Sequence, residues 1–368
     1  MRSEFSTDFV RDMDPVLGEH YTQWLPYCRE SIAATIDELA RPDAFPGTLG
    51  IDNGHLDRDL LQSACVAPFR SYLRRSGKML RPYLVCLCLE AYGRDPRTRP
   101  REVALAEIVH SSSLILDDVA DDSTYRRGDL TAHQQVGMLV AGAVGSEWLN
   151  LGFEVVWRDR ESLGARITSR LIEELAWEHF VTGLGTTVDC IWPWQEKSDC
   201  LPGEYLQQVV HRSTSYTYRL PLKIGGLTAD IPESEVAKLS AFGEQVGLGF
   251  QIVDDLLNVK PSDEHWGKEV AEDIVQGKLT LQIILALERA EGSRRARLLE
   301  ILRSGTHVQS ELQEAVGVLE ETGALEECRR LATELRNGAL KIADDLGIDE
   351  IYRRRLKALA CYVLRRTR

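Results

Sequence analysis

The sequence predicts an all-α protein folded as a single large helical bundle. Three observations carry this. Apolar residues recur at helical spacing over long segments, sustained two-residue alternation is scarce, and turn-forming residues fall in short clusters that separate helices without building a linker. Leu105, Ile108, Val109 and Ser112 stand at i, i+3, i+4 and i+7, with Leu116 one turn further on. Residues 242–259 and 280–290 repeat the period. Breaks are expected at residues 42–54, 93–100, 192–202, 230–232 and 260–265, where Pro, Gly, Asp and Ser gather. Residues 1–55 read as an N-terminal extension with a lead-in helix, and 56–368 as the all-helical domain.

Composition excludes several classes. With 368 residues, 43% of them hydrophobic and 27% charged, the chain is neither collagenous, disordered over long stretches, nor a disulfide mini-scaffold. No run approaches the ~20 apolar residues of a membrane span, so no transmembrane segment is expected. The opening Met1-Arg2-Ser3-Glu4-Phe5 alternates charge without an apolar core, so no secretory signal is expected. Eight cysteines lie far apart, and the Cys86/Cys88 pair lacks a metal-ligand spacing. They read as reduced structural thiols, which predicts a cytoplasmic protein. A net charge of −13 argues against a nucleic-acid partner. The basic run Arg353, Arg354, Arg355, Lys357, Arg365, Arg366, Arg368 reads as a solvated helix end that suits its own macrodipole.

Chemistry concentrates in two acidic clusters. In Asp117-Asp118-Val-Ala-Asp121, a helix stacks Asp117 and Asp118 over Asp121 at i+4 and i+3. Like charges at that spacing cost a bare helix about 0.2–0.5 kcal/mol per pair. A divalent cation removes the repulsion, and oxygen-only ligands favour Mg²⁺. The form returns 137 residues later as Gln251-Ile-Val-Asp254-Asp255-Leu-Leu-Asn258, again behind an apolar run. Mg²⁺ keeps few protein ligands and bridges phosphate oxygens, so the expected guest of two such turns is a polyphosphate. Cations suited to phosphate surround them: Lys78 and Arg81, Arg126 and Arg127, Lys268 and Lys278.

In order and spacing these motifs resemble the trans-type polyprenyl diphosphate synthases. The landmarks are Gly77-Lys78-Met79-Leu80-Arg81-Pro82, the first Asp cluster with Arg126-Arg127-Gly128, Phe250-Gln251 through Asp255, and Gly267-Lys268 with Gly277-Lys278. The resemblance implies the isoprenoid synthase fold, a bundle surrounding a central apolar cavity, and a homodimer. It implies that Asp117, Asp118 and Asp121 bind Mg²⁺ against an allylic diphosphate, that Asp254 holds a further Mg²⁺ supported by Asp255, and that three Mg²⁺ ions serve each site. Arg126, Lys268 and Lys278 would contact the allylic diphosphate, while Lys78, Arg81, His110 and Arg127 would hold isopentenyl diphosphate. Gln251 would lie beside the reacting allyl group. The implied reaction is ionisation of the allylic C–O bond, attack by the isopentenyl double bond and loss of a proton.

The sequence departs from the family pattern in places. Asn258 stands where many members have Asp, so a weaker metal ligand is expected there. Arg212-Ser213 replaces the usual Lys-Thr, keeping charge and hydroxyl but altering reach. Ser76 and Ser146 also differ. Ser113 and Ser112, four and five residues before Asp117, occupy positions where shorter-chain members carry aromatic rings. Their small size predicts a product of C20 or longer, unless Met138, Leu139, Trp148 or Trp177 supplies a plug. Two other readings are a class I terpene cyclase on the same scaffold, and a non-catalytic regulatory subunit, against which the intact Asp117, Asp118 and Asp121 count.

Overall fold

Helices begin where proline or a short acidic side chain can serve the first turn, and the first helix shows both. The computed structural model describes residues 10, 13–40, 58–74, 77–195, 197–259 and 271–365. Helix α1 (Pro15–Leu39) starts with proline in its first turn, where a missing N–H costs nothing, and Asp14 accepts from the Val16 N–H at 3.0 Å. Its buried stripe of Leu17, Tyr21, Trp24, Cys28, Ile32 and Ile36 follows the helical period. Pro26 does not end it. Trp24 Nε1 donates to Glu90 at 2.8 Å, and His20 links Glu90 to the Tyr83 hydroxyl, tying α1 to helix α4. The lead-in segment thus contributes core.

The chain continues through α2 (Arg58–Leu61), a π-helical turn (Gln62–Val66), α3 (Ala67–Arg74), α4 (Leu80–Ala91) and α5 (Pro100–Ala120). From Glu102 to Ile115, α5 is buried on every face, the condition of a helix at the centre of a bundle. Strands β1 (Tyr125–Arg126) and β2 (Asp129–Leu130) form a minimal antiparallel ribbon, with Arg126 opposite Asp129. Then come α6 (Ala132–Val136), α7 (Met138–Arg158), α8 (Arg160–Leu163) and α9 (Ala165–Trp194). Next are α10 (Pro202–Val209), a ten-residue π-helical segment (Val210–Arg219), α11 (Leu220–Thr228) and α12 (Glu233–Val259). The chain finishes with α13 (Glu272–Val275), α14 (Leu281–Arg289), α15 (Gly292–Ser304), α16 (Gln309–Glu321), α17 (Ala324–Asp344) and α18 (Glu350–Arg365).

The chain divides into two compact units, 1–176 with 220–236, and 177–219 with 237–368. Two of the three boundaries fall inside continuous helices, α9 and α12, and the third lies where the π-helical segment runs into α11, so the sequence carries no linker to mark them. In the first unit, α11 lies so close to α4 that a Cβ on Gly225 would stand 2.4 Å from the Cys88 Cβ. Glycine there is a packing requirement. In the second unit, α14 is wrapped by α10, α12, α15, α16 and α17 through Tyr205, Ile252, Leu298, Leu319 and Cys328. Arg219 forms a buried pair with Glu178 at 2.8 Å, and the Ser215 hydroxyl donates to the same carboxylate. On α18, Arg353 and Lys357 pair with Glu350 and Asp344, as a solvated helix end would.

Helices expected at 105–116, 242–259 and 280–290 are α5, α12 and α14. The break expected from residue 192 starts later, because α9 runs to Trp194 through Pro193. Proline in a last turn removes a single ladder bond, and the Gln195 N–H still reaches the Ile191 carbonyl at 2.9 Å. Residues 42–54, 260–265, Ser76 and Lys268 lie outside the described residues.

Candidate active site

In the first unit the acidic cluster ends α5. Successive helical residues point about 100° apart, so Asp117 and Asp118 cannot share an environment. Asp117 is half-buried, Asp121 is exposed, and Asp118 is 0% exposed. Asp118 accepts from Tyr72 Oη at 2.6 Å and from Arg126 Nε at 2.8 Å. A buried carboxylate is costly without such partners. Asp117 and Asp121, one turn apart, are therefore the pair presented outward. Asp118, expected with Asp117 and Asp121 as a metal ligand, has its oxygens bonded to Tyr72 and Arg126. Arg126 is engaged there too.

The same unit gathers cations about His110, two turns before Asp117 on α5. His110 is buried, and burial followed by the charges of Arg81, Arg127 and Arg126 holds its ring well below the usual histidine range. Glu107, one turn before it, is also buried, and burial raises its carboxyl against the lowering effect of Arg81 and Arg127. A Cβ on Gly77 would stand 2.8 Å from an Arg127 guanidinium nitrogen, so that glycine lets the arginine lie against the Gly77-Lys78 turn. Lys78 is exposed, and its carbonyl accepts from the Tyr21 hydroxyl. Met79 and Arg127 both adopt left-handed backbone, at φ 47° and 54°. Strain of this kind in non-glycine residues gathers at functional sites.

In the second unit α12 repeats the division. Asp254 is half-buried and Asp255 is buried. Asp255 accepts from Tyr205 Oη at 2.5 Å and from Gln251 Nε2 at 2.8 Å, and its backbone carbonyl accepts from Gln282 at 2.8 Å. Burial, then the neighbouring Asp273, pushes its carboxyl well above the carboxylate range, against the pull of those two hydrogen bonds. Gln251, expected beside a substrate, bonds Asp255. Asn258 was expected as a metal ligand; its Oδ1 instead accepts from the Asp273 N–H at 3.2 Å, in the first turn of α13. An amide oxygen closing a helix start keeps that geometry without a charge. Lys278 is half-buried, and its N–H bonds the Asp273 carbonyl at 2.9 Å.

Arg212 and Ser213 lie in the π-helical segment. Arg212 pairs with Asp189 at 2.6 Å, and Asp189 also accepts from Gln208 at 3.1 Å. A Cβ on Gly185 would lie 2.5 Å from the Arg212 backbone nitrogen, so α9 needs glycine where the widened turn passes. Ser213 donates back to the Val209 carbonyl at 3.4 Å.

The chain-length positions differ from each other. The hydroxyls of Ser112 and Ser113 turn back onto the Ile108 and Val109 carbonyls at 2.7 and 2.9 Å. Both are buried, Ser112 at 0% and Ser113 at 9% exposed. Of the proposed plugs, Leu139 is 91% and Trp177 54% exposed, and Met138 is likewise on the surface. Trp148 is internal, stacked on Phe69 with ring centroids 4.0 Å apart.

The donor set fits Mg²⁺: oxygen only, with one or two carboxylates per helix that are at least partly exposed. Among the described residues no three His, Cys, Asp or Glu side chains converge as a closed metal cage. Tyr72, Tyr205, Glu107 and Asp189 escaped sequence reasoning because their partners lie tens of residues away and no local pattern marks them.

The polyprenyl synthetase profile matches residues 62–319. A short chain isoprenyl diphosphate synthase of Methanothermobacter thermautotrophicus is 32% identical over 268 residues, covering 70% of this chain and 77% of that protein. The solved geranylgeranyl pyrophosphate synthetase of Pyrococcus horikoshii is similar at TM-score 0.81 and 24% identity, over 95% and 98% of the two chains. A geranylgeranyl pyrophosphate synthase of Corynebacterium glutamicum, solved with isoprenyl diphosphate and magnesium, reaches TM-score 0.77 at 22% identity, over 92% and 98%. An all-helical chain carrying two acidic turns, each at a helix end, thus belongs to the polyprenyl synthetase family.

Proposed function

We propose that the chain is a magnesium-dependent trans-prenyltransferase that joins isopentenyl diphosphate to an allylic diphosphate. The observation that carries this reading is His110, buried near the charges of Arg81 and Arg127 on the helix whose last turn carries Asp117. One diphosphate needs cations alone and the other needs metal, and the first unit offers both surfaces. A cyclase, which ionises a single diphosphate, has no use for the cationic pocket. Lys78, Arg81, His110 and Arg127 hold isopentenyl diphosphate; Arg126, Lys268, Lys278 and Arg212 with Ser213 serve the allylic diphosphate.

When bound, Mg²⁺, three ions in this proposal, would supply electrostatic stabilisation of the charge that builds on a departing diphosphate. Asp117 and Asp121 in the first unit, and Asp254 in the second, would hold it. The magnesium found with the Corynebacterium glutamicum relative supports a divalent metal in this reading. His110 supplies a hydrogen bond without adding charge, and the arginines bind the isopentenyl diphosphate through planar forks. Fixing the two substrates in contact converts an encounter into an oriented reaction. Apolar walls exclude water that would quench a carbocation.

A product of C20 or longer is part of the proposal, with Ser113 as the position that decides it. The chain also acts as a homodimer. Trp177, Phe180, Leu184, Ile191 and Trp194 form an exposed apolar face on α9 at helical spacing, which a second copy would cover. No described helix is long and apolar enough to cross a membrane. A cytoplasmic site of action goes with this reading.

The test is incubation of purified protein with Mg²⁺, isopentenyl diphosphate and one allylic primer at a time, with product mass analysis. Elongated diphosphates are expected, and chelator should abolish them. Turnover of primer without isopentenyl diphosphate into a hydrocarbon would overturn the reading in favour of cyclisation.

A further inference from the structure

Each acidic turn is built the same way although its parts come from unrelated stretches of chain. In the first unit, Asp118 at the end of α5 receives the hydroxyl of Tyr72 from α3 at 2.6 Å. That hydroxyl in turn accepts the Ala132 N–H at 3.0 Å, so both its donor and one acceptor site are used. In the second unit, Asp255 on α12 receives the hydroxyl of Tyr205 from α10 at 2.5 Å. Tyr72, Asp118, Tyr205 and Asp255 are all buried. In both turns the second aspartate is the anchored one, while Asp117 and Asp254 stay half-exposed. Two tyrosines from separate helices, meeting equivalent carboxylates by the same contact, point to a shared task.

We propose that Tyr72 and Tyr205 are positioning residues, each fixing the second carboxylate of an Asp-Asp turn so that the first is presented to metal at a set angle. This rests on the reading that Asp117 and Asp254 ligate Mg²⁺. A helix turn with an anchored carboxylate cannot rotate about its axis, so the neighbouring carboxylate, about 100° around, keeps its direction. Groups that orient metal ligands typically change metal affinity 10–100-fold when removed. Replacing either hydroxyl leaves a buried oxygen of Asp118 or Asp255 short of a donor, and the carboxylate reorients to find one.

The experiment uses the full chain and two variants, Tyr72→Phe and Tyr205→Phe, which keep the packed ring. Mn²⁺ replaces Mg²⁺, inorganic pyrophosphate is added, and bound Mn²⁺ is read by electron paramagnetic resonance alongside the thermal midpoint. Each variant is expected to bind Mn²⁺ at least about 10-fold more weakly than the parent. The Mg²⁺ midpoint of prenyl transfer should shift by a similar factor, with a smaller change in kcat at saturating Mg²⁺. A lowered thermal midpoint with unchanged Mn²⁺ affinity overturns the inference and leaves the tyrosines merely structural. A parent chain that takes up no Mn²⁺ with pyrophosphate overturns the proposed function itself, a different result from equal binding by parent and variants.

Discussion

At the scale of single residues, neighbours in sequence have been given different duties by burial. Asp117 and Asp118 are adjacent, yet one is half-exposed and the other is enclosed by Tyr72 and Arg126. Asp117→Ala should lower kcat by at least about 10²–10³-fold, the scale on which transition-state charge stabilisation is lost. A steady-state assay at saturating Mg²⁺ checks this, and near-normal turnover would remove Asp117 from the reaction. His110 gives a pH test. Burial and three arginines hold it neutral well below the usual histidine range. It gains no proton between about pH 6.5 and 8, so the KM for isopentenyl diphosphate should carry no histidine titration there. His110→Gln, also neutral, should change that KM by less than about 10-fold, since only a hydrogen bond is at stake. A midpoint near pH 6.5 in the KM profile, lost in the variant, would contradict the assignment.

Helix ends and helix faces decide what can be changed at the scale of an element. In the first turn of α5, Glu102 is buried against Asp159, the residue that closes α7, and burial followed by that neighbouring charge pushes its carboxyl up to about 8. The unfolded chain releases this proton near the ordinary pKa while the folded chain keeps it, so stability is full below that value and falls as pH rises towards 8. The loss is on the order of a few kcal/mol. Glu102→Gln should flatten that slope and leave the variant more stable than the parent at pH 8.5, measured by urea unfolding at pH 6 and 8.5. Further along α5, Ser113→Phe should shorten the product if that position, the less enclosed of the two serines, faces the growing chain. Ser112→Phe, in an enclosed site, should instead destabilise by about 1–3 kcal/mol through overpacking. Product mass and thermal midpoint separate the two, and equal chain length from Ser113→Phe and parent would refute the tunnel argument.

On the whole molecule, the exposed apolar face of α9 governs assembly. Phe180→Asp with Leu184→Asp should halve the mass seen by light scattering if a second copy covers that face; an unchanged mass would place the interface elsewhere. Much of the architecture was legible beforehand. The periods at 105–116, 242–259 and 280–290 marked α5, α12 and α14, because a helix that buries one face must repeat its apolar residues every three to four positions. The core role of α1 was obscured by the acids and prolines among which Leu17, Tyr21, Trp24 and Cys28 are spaced. The two-unit division left no trace, since no composition change accompanies a boundary inside a helix.

Chemistry needing particular side chains at fixed short spacings was written into the sequence alone: the doubled Asp-Asp turns, the flanking cations, the family and the class of reaction they serve. Partnership was left to tertiary structure. Which aspartate faces outward, that Asn258 closes a helix start, that Arg212 leans on Asp189 and that His110 is buried near arginine charges depend on groups brought together from distant positions. Burial and hydrogen-bond satisfaction are properties of the packed chain, and no local pattern encodes them.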